Sequence, residues 1–140
     1  MHQQPILGHD DVIAAVDAIR TELANRERTA VVAVVDAHGE LLALLRLDGA
    51  ALSSVQVAIN KAFTAARLRR PTRVLGEQLR SRGTDIAFYG DARYCAFGGG
   101  VPIETGGVVV GGIGVSGLSD EDDDALAAIG AAAAVADRTS

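Results

Sequence analysis

Twelve of the thirteen basic residues are arginine, and the one lysine, Lys61, stands in the stretch Asn60-Lys61-Ala62-Phe63-Thr64. Helical spacing puts Ser53, Gln56, Asn60, Thr64 and Arg67 on one polar stripe, with Leu52, Val55, Ile59, Phe63 and Ala66 roughly opposite. Lys61 falls at the stripe's edge, beside Ala58 and Ala65. A cation there can meet a ligand carboxylate, and a desolvated lysine can act as a base or Schiff-base nucleophile. The competing reading is an ion pair within the protein, or an N–H donor to a loop carbonyl.

Further along, Phe88-Tyr89-Gly90-Asp91 and Arg93-Tyr94-Cys95-Ala96-Phe97 hold four of the five aromatic residues and the only thiol. Aromatic faces with polar tips on a glycine-bearing backbone suit a flat ligand. The alternative is that the rings pack and Cys95 is a small buried hydrophobe. Lys61, Tyr89, Asp91 and Glu104 are the acid–base candidates if the chain is an enzyme. Gly98-Gly99-Gly100, before Val101-Pro102, suits backbone N–H groups approaching an anion, or simply a tight loop.

The histidines carry less. His2, His9 and His38 are not at metal-ligand spacing, and no metal site is defined. His38 reads as a turn residue, and His9 precedes a helix. Arg67, Arg69, Arg70 and Arg73 make a basic cluster of the kind that faces solvent or a neighbouring subunit's acids, such as Asp120 to Asp124. The acids themselves read as helix capping, since their spacing does not fit a calcium loop.

Whole classes drop out. A net charge of −5 disfavours a nucleic-acid binder. A single cysteine rules out an internal disulfide or a multi-cysteine metal site in one chain. No run approaches the ~20 apolar residues of a membrane span. The first residues lack a signal-peptide pattern, so a cytoplasmic location is expected. No nucleophile elbow, paired catalytic histidines or P-loop is present.

The elements that must position these residues follow from periodicity. Residues 10–27 read as an amphipathic helix, 30–36 as a buried strand, and 40–46 as its hairpin partner across Asp36-Ala37-His38-Gly39. A second helix covers 51–70 and stops at Pro71, and a third covers 72–82. Residues 86–89 and 93–97 are short extended candidates. Strands at 101–105 and 108–115 flank a glycine turn, and a last helix, capped by Ser119, runs to about residue 137. The order is α-ββ-α-α-(β)-ββ-α, an α+β domain on an antiparallel sheet.

Three blocks carry a resemblance. They are Val34-Val35-Asp36-Ala37-His38-Gly39-Glu40-Leu41 with Arg46-Leu47-Asp48-Gly49-Ala50, then Lys61-Ala62-Phe63-Thr64-Ala65 with Arg70-Pro71-Thr72, then Gly98-Gly99-Gly100-Val101-Pro102-Ile103 with Gly111 through Gly117. Together they resemble the GlcG/HbpS family of haem-binding-like proteins, which includes the C-terminal domain of PduO-type proteins. The match spans nearly the whole chain as one domain, 1–140. The resemblance implies a five-stranded antiparallel, profilin-like sheet flanked by helices. It also implies homo-oligomers, from dimers up to octamers. Haem is the implied cofactor, and otherwise none. Lys61, Thr64 and Arg67 would meet its acidic or polar groups, and Tyr89 and Tyr94 its flat face or iron. Gly99, Gly100 and Pro102 would shape the floor of a cleft by the second helix. His9 is the histidine best placed to ligate. The alternative is a cofactor-free isomerase, hydratase or lyase for a small carboxylate or carbonyl compound in that cleft. A third reading makes the oligomer itself the function, as an accessory or scaffold protein. The expected partners are further copies of the chain and a small molecule, with neither nucleic acid nor membrane.

Overall fold

The computed structural model describes residues 1–136. Four α-helices, one 3₁₀ turn and four strands follow one another: α1 His9–Asn25, β1 Val31–Asp36, β2 Leu41–Arg46, α2 Ser53–Leu68, α3 Thr72–Arg82, the 3₁₀ turn Ile86–Tyr89, β3 Gly100–Thr105, β4 Val108–Ser116 and α4 Asp120–Ala134. The strands form one antiparallel sheet in the order β2-β1-β4-β3. None of the described helices is long and apolar enough to cross a membrane.

The sheet has four strands where five were expected. The run Ile86–Tyr89 is apolar enough for a strand, but local hydrogen bonds win. The Asp85 carboxylate accepts the Ala87 N–H at 2.9 Å and caps a 3₁₀ turn, and Gly90 ends it in the left-handed region at φ 81. Asp91 repeats the device, accepting the Arg93 N–H at 2.9 Å. Residues 93–97 consequently run as irregular backbone, not as a strand.

The strand period of two sorts the core into two layers. Val32, Val34, Ile103, Ile113 and Val115 face α1 and α4, where Ile19, Leu23 and Leu126 complete the larger cluster. Val31, Ala33 and Val35 face α2 through Ala58, Ala62 and Ala66. The helix presents its alanines to the sheet, with Val55 and Ile59 packed partly buried beside them. Leu52, just before the helix, is 72% exposed. The reason for the alanines lies across the interface. Gly112 and Gly114 of β4 stand on the same face as Ala33 and Val35, and α2 lies against their bare backbone.

Candidate functional site

Lys61 is buried, 2% exposed, and faces inward. Its ammonium donates to the Val115 carbonyl oxygen at 3.0 Å and to Asp123 Oδ2 at 3.2 Å. Asp123 lies in the first turn of α4, and its other oxygen accepts the Leu118 N–H at 3.0 Å. One charge pair thus ties α2, the end of β4 and the start of α4 together. Burial pushes the Asp123 carboxyl up, while the Lys61 ammonium and the Leu118 N–H pull it down. Of the competing readings of Lys61 from sequence, the ion pair is present, and the carbonyl it meets belongs to strand β4, not to a loop.

Two of the three glycines at the start of β3, Gly99 and Gly100, serve the same pair. A Cβ on Gly99 would lie 2.9 Å from Lys61 Nζ and 2.5 Å from the Val115 carbonyl, and one on Gly100 would meet the Lys61 carbonyl. The Gly100 N–H donates to Thr72 Oγ1 at 2.8 Å, which fastens the start of β3 to α3. Thr64 is likewise used within the fold. Its hydroxyl donates to the Asn60 carbonyl at 2.7 Å and accepts the Cys95 N–H at 2.9 Å. Lys61, Thr64, Gly99 and Gly100 therefore form one buried clasp behind the segment 90–99. Burial also raises the Cys95 thiol above its ordinary range.

The surface in front of that clasp is built on Phe63. The Tyr94 ring packs tilted on it at 5.2 Å between centroids, and Tyr89 meets Tyr94 edge-on at 5.9 Å. Two guanidinium groups lie over the Phe63 ring, Arg93 at 4.1 Å and Arg67 at 4.7 Å. Gly39 makes room, since a Cβ there would fall 2.7 Å from the Phe63 ring. Arg67 Nε donates to the His38 carbonyl at 2.8 Å. Arg93 clasps Asp91 through contacts of 3.1 and 2.9 Å, and holds its carboxyl down at about 2. Phe88, 82% exposed, and Phe97 add bare rings along the same segment.

The structure thus gathers Tyr89, Tyr94, Asp91 and Arg67, to which Arg93 must be added. Its position two residues after Asp91 is the signal in the sequence. Pro102 lies within β3, paired with Gly112. Glu104 is exposed at the bulge that shifts register after Ile103. Lys61 belongs to Asp123, so the four acid–base candidates do not share one constellation. Among the described residues, no group of three or more His, Cys, Asp or Glu is arranged to hold a metal ion.

A four-stranded antiparallel sheet with α2 on one face and α1 and α4 on the other defines an α+β class of protein. The family model for haem-degrading HbpS-like proteins matches residues 7–132, and the chain belongs to that family. It is 33% identical to protein GlcG of Escherichia coli K12 over 116 residues, which is 83% of this chain and 85% of that protein. Its fold is similar to a crystallised double mutant of Streptomyces reticuli HbpS, with a TM-score of 0.85 at 33% identity over 94% of this chain and 89% of that one. It is also similar to PduOC, solved as a heme complex, with a TM-score of 0.84 at 29% identity over 92% of this chain and 95% of that one.

Proposed function

We propose that this chain is a homo-oligomeric binder of haem, or of a related flat, carboxylate-bearing ligand, taken beside α2. The observation that carries this reading is the ring and guanidinium surface on Phe63, in a chain similar to one solved with heme. The donor chemistry present fits such a ligand. Tyr89 and Tyr94 offer flat faces and phenol oxygens, Phe88 offers an exposed ring, and Arg67 and Arg93 keep guanidinium N–H groups beyond those given to the His38 carbonyl and to Asp91. Bound haem would supply an iron centre of the kind a tyrosine can ligate. Lys61, Thr64, Gly99 and Gly100 act from behind, by fixing the backbone that carries the tyrosines. Pro102 would hold the neighbouring start of β3 in its extended shape.

Adding hemin to the folded protein should give a saturable Soret shift. Arg93→Ala should weaken binding about tenfold, the size expected for loss of a charged hydrogen bond. Tyr89→Phe and Tyr94→Phe should alter the Soret band if a phenol reaches the iron. No shift at stoichiometric hemin would end this reading.

Self-association has its own support. The edge strand β2 is Leu-Leu-Ala-Leu-Leu-Arg, with Leu41, Leu42 and Leu44 exposed. Isolated edges usually carry charge or proline to block pairing, and this one has neither before Arg46. Ile13 of α1 extends the apolar surface alongside. Leu42→Arg is therefore expected to lower the mass seen by light scattering without changing the fold seen by circular dichroism. An unchanged mass would place the interface elsewhere.

A further inference from the structure

A concave site lies where α2 ends, apart from the ring surface on Phe63. A cavity of about 320 Å³ is lined by Gln4, Ala37, His38, Ala66, Arg69, Gly107 of the β3–β4 turn, and Val108 and Val109 at the start of β4. It adjoins a wider recess of about 580 Å³, which shares Gln4, Ala37 and His38 and adds His2, Ile6 and Asp36. Both volumes fall in the range of small-molecule pockets.

Arg69 and His38, both solvent-exposed, supply the nitrogen groups of the smaller cavity. Arg67 is engaged by the His38 carbonyl and Phe63, Arg70 by Gln78 and the Leu68 carbonyl, and Arg73 by Glu77 and Asp124. Arg69 alone in this basic cluster has no side-chain partner among the described residues. The His38 imidazole also lacks one, since its recorded bonds use the backbone N–H and carbonyl. Two unpaired nitrogen-rich groups thus line one cavity in a chain whose net charge is −5. Asp36, which lines the adjoining recess, has Oδ1 occupied by the N–H groups of His38 and Glu40 at 2.8 and 3.0 Å.

The backbone points the same way. Arg69 ends α2 in the left-handed region, φ 56 and ψ 40, where glycine is the ordinary occupant. An L side chain there costs about 1–2 kcal/mol. The other non-glycine residue with positive φ, Glu27, lines neither concavity. Strain kept at a residue that faces a cavity is a pointer to function. Small side chains at Ala37 and Ala66 and none at Gly107 leave the space open, while Val108 and Val109 give an apolar wall.

We propose that this cavity is a second ligand site, for a small aliphatic carboxylate whose planar head is taken by the Arg69 guanidinium. His38 and the Gln4 amide would complete the cradle, and Val108 and Val109 would meet the carbon chain. A guanidinium fork matches a planar carboxylate with two parallel hydrogen bonds. This site is separate from the ring surface on Phe63 and does not rest on haem binding.

The test is calorimetry on the full chain with succinate and, in parallel, inorganic phosphate. Succinate should bind saturably and tighter than phosphate. Arg69→Gly is the informative variant, because it removes the guanidinium yet suits the left-handed backbone, and so should melt at or above the parent. It should weaken succinate at least about tenfold, and His38→Ala about fivefold, by the usual size of charged and neutral hydrogen bonds. Hemin titration of Arg69→Gly should match the parent. Absence of saturable succinate binding, tighter binding of phosphate, or equal succinate affinity in Arg69→Gly would each overturn the proposal. A hemin affinity that falls with Arg69→Gly while succinate leaves no signal would assign the guanidinium to the haem ligand instead, and would also overturn it.

Discussion

Lys61→Met is expected to destabilise the protein by about 3–5 kcal/mol, because it leaves a buried carboxylate without its cation. Methionine keeps the length of the stem, so the loss reads out charge more than volume. Asp123 would then be held only by backbone donors, among them the Leu118 N–H. Its carboxyl, already raised by burial, would rise further. The sign of the pH dependence follows. A folded-state carboxyl raised above its unfolded value takes up a proton on folding, so the variant's stability is greatest below the unfolded value near 4 and falls as pH rises through the folded one. The deficit against the parent should therefore be larger at pH 7 than at pH 5 in urea denaturation. Adding Asp123→Asn removes the orphaned charge and keeps an acceptor for Leu118. The double variant should recover to within about 1–2 kcal/mol of the parent. If Lys61 serves a ligand instead, the single variant will keep its stability and lose only hemin binding.

That pair also shows what could be read along the chain. The lysine's carboxylate contact was foreseeable as a type, whereas its second acceptor is a strand carbonyl and not the expected loop one. The identity of the carboxylate was not foreseeable, because Asp123 is 62 residues away and one of four acids within the first turn of α4. The hairpins, the α2–α3 break at Pro71 and the Ser119 cap were legible because each has a local cause. The 3₁₀ turn at Ile86–Tyr89 had a local cause too, in Asp85 and Gly90, but its apolar run resembles a strand. The buried face of α2 was legible only in part: Phe63 and Ala66, opposite the polar stripe, are buried, but the contact through Ala58 and Ala62 is decided by the facing strand. The cavity at Arg69 is further still from sequence, since an unpartnered arginine is visible only once its neighbours' partners are known.

Gly114→Ala should be about as damaging, with an expected loss of about 3 kcal/mol or more from overpacking. The added methyl would meet the Ala58 carbonyl oxygen, and would lie 2.7 Å from the Ala62 nitrogen. Both are main-chain atoms inside α2, so no rotamer change can relieve the clash. Either the helix lifts off the sheet or the strand bends. Lifting α2 would loosen Ala58, Ala62 and Ala66 from Val31, Ala33 and Val35, and would draw Lys61 away from Asp123. The damage should therefore spread to the Lys61 clasp and to Phe63, and the variant should weaken hemin as well as melt early. Gly106→Ala is the matched control. That residue also forbids an easy methyl, with φ 56, but nothing lies within 4 Å of the site. It should cost only about 1–2 kcal/mol, from backbone strain alone. Equal losses at the two positions would mean that α2 and β4 relax around the added methyl, and that their close approach does not require glycine. A larger loss at Gly114 ties glycine in β4 to alanine in α2, and makes the closeness of that contact the condition for placing the ring surface at all.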